Sequence, residues 1–255
     1  MRAEIPIGIS FDGKKIALPF SVPGRNHCAV FGCRGSGKTT CLRRIVSSAE
    51  GICDPSRVTV WADPAAGGEH PGGYSEARRA GPAGAERTDR LIGLLYKEHG
   101  QRLRLMAREG VPDHSGCGLP LLIAVIDDID FEPRHGLPGE KGRTGGMLSE
   151  ILRASHVTGI SVTVSFGRPL FLPGEGLYAV MDLFNMRIAM NSPFDQACGA
   201  LGLDPSAVSG ADRAAIEGLR FGEPGDFVYA NVHDMGPLVA GRIGCWPAQR
   251  EGIRS

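Results

Sequence analysis

Short apolar runs alternate with longer segments of helical periodicity along most of the chain. Leu121–Ile126 is a continuous apolar run between a proline and an aspartate, which is typical of a strand buried on both faces. Residues 38–50, 86–109 and 147–152 instead repeat their apolar positions at helical spacing. The other predicted strands cover 5–9, 16–20, Cys28–Phe31, Val58–Ala62, Ile160–Phe166, 183–190, 227–230 and 238–243.

The alternation of strands with helices predicts an α/β fold with a mostly parallel central sheet flanked by helices. Residues 1–25 form a short β-rich lead-in, with Asp12-Gly13 as the turn signal between its two strands. Residues 26–255 are predicted to form the main domain. Glycine-rich stretches at 64–84, 110–120 and 132–146 are interpreted as loops, because a strand or helix pattern follows each of them.

Composition adds few constraints. Lys and Arg number 28, as do Asp and Glu, so the formal net charge is zero and no bulk basic signal for nucleic acid is present. Any contact with DNA therefore needs local patches or repeated subunits. The seven cysteines show no CxxC spacing and are expected to be reduced. No apolar run reaches the length of a membrane span, and we expect a cytoplasmic protein.

Residues 32–39, GCRGSGKT, match the pattern GxxxxGK[ST] without a mismatch, between a predicted strand and a predicted helix. Glycines let successive backbone N–H groups face the phosphates of ATP or GTP, and the following helix offers its positive N-terminal end. Lys38 would reach the β- and γ-phosphates, and Thr39 would ligate Mg²⁺. The predicted nucleotide-binding residues are Gly32, Arg34, Gly35, Ser36, Gly37, Lys38, Thr39 and Thr40.

A second motif, LLIAVIDD, ends the apolar strand Leu121–Ile126 with two acids. Because the carboxyl ends of parallel strands share one edge of a sheet, these acids should lie beside the glycine-rich loop. Asp127 is the predicted Mg²⁺ ligand, and Asp128 the predicted catalytic residue that activates water, together with Lys38.

Several segments in order resemble the motor domain of the FtsK/SpoIIIE DNA translocases. NHCAVFGCRGSGKTTCLRRIV is similar to that family's P-loop segment with a His-containing lead-in, and VTVWADPAAGGEH is similar to its next strand. RTDRLIGLLYKEHGQRLRLMAREGV resembles its long helix. LPLLIAVIDDID resembles its Walker B strand, TGISVTVSFGRP the strand that ends in Gln-Arg-Pro, and PGDFVYA a late Gly-Asp strand. The resemblance runs from about residue 5 to 243.

This resemblance implies a RecA-like P-loop ATPase that uses ATP and Mg²⁺ and assembles into hexameric rings around double-stranded DNA. Recruitment by a membrane or protein partner is compatible with this resemblance. No membrane region or winged-helix reader of the family type is recognised, so a bare motor-like domain is expected. Such a domain is closer to the short transfer proteins of actinobacterial mobile elements or to one ATPase module of the EccC secretion proteins.

Three positions near the expected γ-phosphate depart from the family pattern. Asp128 stands where the family carries Glu and is shorter by one methylene, about 1.5 Å. Gly167 replaces the Gln of Gln-Arg-Pro. His156 stands where the family has an arginine that acts on a neighbouring subunit, and Arg153 lies one helical turn earlier as a substitute. The resemblance thus makes Arg153, His156 and Arg168 candidate trans-acting or sensor residues.

Three further features keep two interpretations each. Arg134, Lys141 and Arg143 lie in a basic, glycine-rich segment after the Walker B strand, which is either a DNA-contacting pore loop or a solvated surface loop. Asp63 either faces the nucleotide or forms an Asp-Pro turn. Arg168 is likewise either an interface residue or a surface charge.

Three functions are compatible with these patterns. The first is an ATP-driven DNA translocase of the FtsK/SpoIIIE type, for DNA transfer or segregation. The second is a nucleotide-binding assembly module with little turnover, which binds a protein partner as in a secretion system. The third, a small-molecule kinase, is less favoured because no lid-like cluster of arginines accompanies the two motifs.

Overall fold

The computed structural model describes residues 2–21, 26–52, 56, 58–62, 84–129, 140–166, 181–232 and 236–244. Its strands are β1 (Arg2–Ser10), β2 (Lys15–Ser21), β3 (Cys28–Phe31), β4 (Val58–Ala62), β5 (Leu121–Ile126), β6 (Ile160–Phe166), β7 (Met186–Met190), β8 (Asp226–Asn231) and β9 (Val239–Ile243). Its helices are α1 (Lys38–Ile52), α2 (Gly84–Glu109), α3 (Glu140–Arg153), α4 (Ser155–Thr158), α5 (Phe194–Leu201) and α6 (Gly210–Gly218). Short 3₁₀ helices cover His114–Cys117 and Leu219–Phe221.

These strands form one sheet in the order β2-β1-β9-β8-β7-β3-β6-β5-β4. The five strands from β7 to β4 are parallel, with β3 between β6 and β7. The predicted α/β fold with a parallel core is therefore confirmed. The pairings β7–β8, β8–β9, β9–β1 and β1–β2 are antiparallel, so the complete sheet is mixed.

Side chains of the central strands alternate between two buried layers. Cys28 and Val30 pack with α1 on one face, while Ala29 and Phe31 pack with α2 and α3 on the other. All four are at most 4% exposed, which explains why these strands have continuous apolar sequences instead of alternating ones. Helices α5 and α6 cover β7 and β8 through a third cluster that includes Ala189 and Val228.

The β-rich lead-in is an arm of the same sheet. β1 and β2 form an antiparallel hairpin, and β1 also pairs with β9, where Gly8 lies opposite Ile243. The hairpin contributes apolar side chains to the α1 layer. The Ser48 hydroxyl on α1 also donates to the Pro6 carbonyl at 2.8 Å. The main-domain core therefore continues into the lead-in.

Most predicted elements occur with shifted ends, and three of the described helices, α4, α5 and α6, were not predicted. The predicted strand 183–190 begins only at Met186. α5 and α6 are short and contain glycines, so their periodicity is weak, and their helical structure is stabilised by packing on β7 and β8. Within the described residues, no helix is both long enough and apolar enough to cross a bilayer.

Hydrogen bonds of the His27 side chain hold the start of β3 in place. Its ring is fully buried, Nδ1 accepts a hydrogen bond from the Val162 N–H at 3.0 Å, and Nε2 lies 3.0 Å from the Leu152 carbonyl oxygen. Since a backbone N–H can only donate, Nδ1 carries no proton and Nε2 donates to Leu152. The neutral ring thereby joins β3 to β6 and to the end of α3.

The turn before β8 is held by a bidentate ion pair. Asp226 accepts from Arg242 Nε at 2.5 Å and Nη2 at 3.1 Å, and also from the Glu223 N–H at 2.9 Å. These donors, Arg242 first, lower the pKa of Asp226 below its usual value of 3.8. A carboxylate with a lowered pKa stabilises the fold above the pKa that it has in the unfolded chain, and this contribution is lost as the pH falls through the folded-state pKa.

We expect Asp226→Asn to lower the free energy of unfolding at neutral pH by about 2 kcal/mol, because charged hydrogen bonds are lost. The deficit should shrink as the pH falls from the usual aspartate pKa through the lowered pKa of the folded state, where the wild-type carboxylate becomes protonated as well. Urea denaturation across that pH range measures both effects. Asp89→Asn, which alters an exposed carboxylate on α2, is the control. A deficit independent of pH would contradict this explanation.

Candidate functional site

The glycine-rich segment 32–39 leaves the carboxyl end of β3 and enters α1 at Lys38. Two of its glycines adopt left-handed conformations, with φ of 82° at Gly35 and 102° at Gly37. A Cβ on Gly37 would lie 2.9 Å from the backbone nitrogen of Gly225, whereas one on Gly35 would meet nothing within 4 Å. The loop conformation therefore requires glycine at 37 for both torsional and steric reasons.

Backbone hydrogen bonds fix this loop to the neighbouring strands. The Cys33 N–H donates to the Asn191 carbonyl at 2.9 Å, just after β7, and the Gly225 N–H donates to the Ser36 carbonyl at 3.0 Å, just before β8. Ser36 is 3% exposed, and within the described residues its hydroxyl has no hydrogen-bond partner. Sequence reasoning missed the contacts of Asn191 and Gly225, because they are made by backbone atoms and leave no side-chain signal in the sequence.

Lys38 folds its side chain over the loop. Its ammonium donates to the carbonyl oxygens of Gly32 at 2.9 Å and Cys33 at 3.1 Å. Burial lowers the pKa of Lys38, and the carboxylates of Asp128 and Asp127 oppose that shift. A cation beside carbonyl oxygens and two acids at the mouth of the loop is suited to contact an anionic ligand.

The two sequence motifs meet through a side-chain hydrogen bond. The Thr39 hydroxyl donates to Asp127 Oδ2 at 2.8 Å, between the first turn of α1 and the end of β5. Hydroxyl and carboxylate oxygens are ligands that Mg²⁺ accepts, commonly through one or two protein groups plus phosphate oxygens. The pair therefore fits the predicted Mg²⁺ site.

Ser165, on β6, joins both acids. Its hydroxyl donates to Asp127 Oδ1 at 2.5 Å and accepts from the Asp128 N–H at 2.8 Å, while its carbonyl accepts from the Ile129 N–H at 2.9 Å. Ser165 is fully buried. Neither motif includes Ser165. The signal in the sequence is a polar serine at a buried position of β6, the strand next to the one that carries the acids.

Asp128 is the one described non-glycine residue with a positive φ, 54°. Asp and Asn occupy this left-handed region several times more often than most residues. This conformation gives a physical reason for Asp at a position where the resembling family carries Glu. The side chain of Asp128 is exposed beside the loop, whereas the side chain of Asp127 is half-buried.

The remaining predicted residues are spread over the surface. Arg34, Gly35 and Thr40 are exposed at the loop and the first turn of α1. Arg153 and His156 are also exposed, but they lie at the opposite edge of the sheet. The Leu152 carbonyl, next to Arg153 in sequence, is hydrogen-bonded to His27, which precedes β3. The glycine-rich loop follows the other end of β3, so the length of that strand, roughly 10 Å or more, separates Arg153 and His156 from the loop.

The predicted loop conformation is wrong for Lys141 and Arg143, whereas their contact with DNA stays a prediction. Both lie in α3, which begins at Glu140 despite the glycines that indicated a loop. Packing of the apolar face of α3 against α2 and the sheet, through residues such as Leu148, offsets the low helix propensity of glycine. Arg134, Asp63, Gly167 and Arg168 lie outside the described residues.

No protein-family model matches the sequence, and no curated protein matches it significantly. Solved structures do match. The cytoplasmic domain of the Thermomonospora curvata type VII secretion ATPase EccC superposes with a TM-score of 0.68 at 18% identity, over 94% of this chain and 28% of EccC. The pCW3 conjugation coupling protein TcpA, in a monomer form with ATPγS, superposes with a TM-score of 0.61 at 17% identity, over 95% of this chain and 66% of TcpA.

The genome packaging NTPase B204 of Sulfolobus turreted icosahedral virus 2, in complex with ATP-gammaS, matches with a TM-score of 0.52 at 12% identity. That match covers 88% of this chain and 99% of B204. At such identities the similarity shows the fold. The chain has the fold of P-loop ATPase domains of the EccC and TcpA type, and it spans 28% and 66% of those two chains.

We expect Gly37→Ala to destabilise the fold more than Gly35→Ala. Both place a side chain at a positive φ, a strain of about 1–2 kcal/mol, but only the first also drives a Cβ against Gly225. Chemical denaturation of the two variants measures the difference. Equal losses of stability would show that the contact between the loop and the turn before β8 can relax freely.

Proposed function

We propose that this chain is an ATP-binding and ATP-hydrolysing motor domain of the FtsK/SpoIIIE type, which moves double-stranded DNA as a homo-oligomeric, hexameric ring. The observation that carries the proposal is the connection of the two motifs. Thr39, at the start of α1, is hydrogen-bonded to Asp127, and Asp128 follows at the exposed mouth of the loop. The fold shared with proteins described as a secretion ATPase, a coupling protein and a packaging NTPase supports it.

The loop would bind the triphosphate through its backbone N–H groups and the amino end of α1. Lys38 would leave the carbonyl oxygens of Gly32 and Cys33 to face the β- and γ-phosphates. Mg²⁺, when bound, would neutralise phosphate charge from a position held by Thr39 and Asp127. Asp128 would orient the attacking water in line with the γ-phosphate.

The position of Arg153 and His156 supports an oligomeric site. Both side chains are exposed at the sheet edge opposite their own loop, so they can contact a nucleotide only across a subunit boundary. A ring would bring that edge near the loop of a neighbour, as the family resemblance implies. We further propose that the domain acts in the cytoplasm, where a membrane or protein partner recruits it.

A second candidate is a low-turnover nucleotide-binding module that engages a protein partner, as in a secretion system. The specific observation in its favour is Asp128, which reaches less far than the Glu of the resembling family and is held in a left-handed conformation. Both candidates require nucleotide binding. They differ in whether hydrolysis occurs and whether duplex DNA stimulates it.

We expect wild-type protein to hydrolyse ATP faster when duplex DNA is present and Lys38→Ala to lose turnover by roughly 100-fold or more, because charge stabilisation at the phosphates is removed. Steady-state phosphate release with and without DNA measures this. Lys97→Ala, which removes an exposed lysine on α2, should behave as wild type. ATP binding without turnover in either condition would favour the low-turnover module.

We expect Asp128→Asn to bind ATP normally and to fold as stably as wild type, since Asn also accepts a positive φ. Turnover should fall by about 100-fold or more, because the amide cannot act on the attacking water as a carboxylate does. Single-turnover kinetics, with nucleotide affinity measured in parallel, separate the two effects. Unchanged turnover would exclude Asp128 as the catalytic carboxylate.

A further inference from the structure

Ser165 occupies a position that neither motif predicts. It lies on β6, between the strand that carries the acids and the strand that carries the glycine-rich loop. Its side chain is fully buried, and its hydroxyl is the shared partner of two consecutive residues at the proposed catalytic edge. A buried hydroxyl with both hydrogen-bonding capacities used is a fixed element of the structure.

The direction of each hydrogen bond follows from the donors available. The Asp128 N–H can only donate, so Ser165 Oγ accepts from it. The single hydroxyl proton is then free for one acceptor, and Asp127 Oδ1 lies 2.5 Å away. The Asp128 N–H therefore makes the Ser165 oxygen an acceptor, and the Ser165 hydroxyl proton is donated to one oxygen of Asp127.

The second oxygen of Asp127 is held by Thr39 at 2.8 Å. In the proposed function Thr39 would turn its oxygen towards a metal ion, which weakens its hold on the carboxylate. Ser165 is the contact that would persist, because its partners do not include the nucleotide-binding loop. It would keep Asp127 in the orientation that receives the metal.

The same residue fixes the backbone that presents Asp128. The Asp128 N–H is bonded to the Ser165 hydroxyl, and the Ile129 N–H is bonded to the Ser165 carbonyl. Between these two bonds Asp128 is kept at φ 54°, a conformation that an L residue adopts at some strain. Removing the hydroxyl would leave the partly buried Asp128 N–H without this partner and loosen the segment after β5.

We propose that Ser165 is a positioning residue of the metal-nucleotide site, which orients Asp127 towards Mg²⁺ and holds Asp128 in its left-handed conformation through one hydroxyl group. This inference rests on the proposed nucleotide-binding function. By this inference a residue of β6 belongs to the site, and Ser165 affects the Mg²⁺ dependence of nucleotide binding. Contacts that orient a metal ligand typically alter metal affinity or activity by about 10- to 100-fold when removed.

The test compares Ser165→Ala with Ser161→Ala. Ser161 is also buried on β6, and its hydroxyl donates to the Asn26 carbonyl, but it lies at the end of the strand away from the loop. The two variants therefore remove the same group from the same strand. Ser165→Thr, which keeps the hydroxyl, is the rescue variant.

Binding of ATPγS is measured by calorimetry with EDTA and across a Mg²⁺ titration, so the readout does not depend on turnover. We expect Ser165→Ala to bind ATPγS as wild type does in EDTA and to need about tenfold more Mg²⁺ for half-maximal enhancement of affinity. Ser161→Ala should follow wild type at every Mg²⁺ concentration, and Ser165→Thr should restore the wild-type midpoint.

Equal Mg²⁺ midpoints for Ser165→Ala and Ser161→Ala would overturn the proposal. So would a uniform loss of ATPγS affinity in Ser165→Ala that is also present in EDTA, because that result indicates general damage to the loop. If wild-type protein binds no ATPγS under any condition, the proposed function fails instead. Thermal unfolding of each variant shows whether a loss of binding reflects a loss of folding. A Ser165→Thr variant that folds but does not recover the wild-type Mg²⁺ midpoint counts against the proposal.

Discussion

β3, β5 and β6 run in the same direction and pair in register, with Phe31 opposite Phe166 and Ile126 opposite Val164. Their carboxyl ends consequently meet at one edge of the sheet. The glycine-rich loop, the two acids and Ser165 all occur at those ends, and this alignment brings groups far apart in sequence within hydrogen-bonding distance. A reversed β5 would carry its acids to the opposite edge and separate them from Thr39.

Residues outside the two sequence motifs hold the site in place. Asn191 and Gly225 fix the loop through backbone atoms, and the ion pair of Asp226 with Arg242 fixes the turn that contains Gly225. A rigid surround of this kind allows a charged, half-buried group such as Lys38 to keep a defined position.

The fold is shared with domains described as acting in secretion, conjugation and genome packaging. One fold therefore occurs in proteins that are described as having different functions, and the fold alone does not show which function this chain has. The local geometry that the structure adds is an aspartate at 128 in a left-handed conformation and a serine at 165 that links it to Asp127. Both features lie at the edge where a γ-phosphate would be bound.

The sequence alone determined the strands of the parallel core, the start of α1 and the residues of the loop, because continuous apolar runs and glycine spacing are local signals. It also predicted that Asp127 lies beside the glycine-rich loop, since the carboxyl ends of parallel strands share an edge. It missed α5 and α6 and assigned Lys141 and Arg143 to a loop, because tertiary packing outweighs weak local propensity. Only the tertiary structure determined the hydrogen bonds of Ser165, the φ of Asp128 and the backbone contacts of Gly225, because each depends on which atoms of distant strands become neighbours.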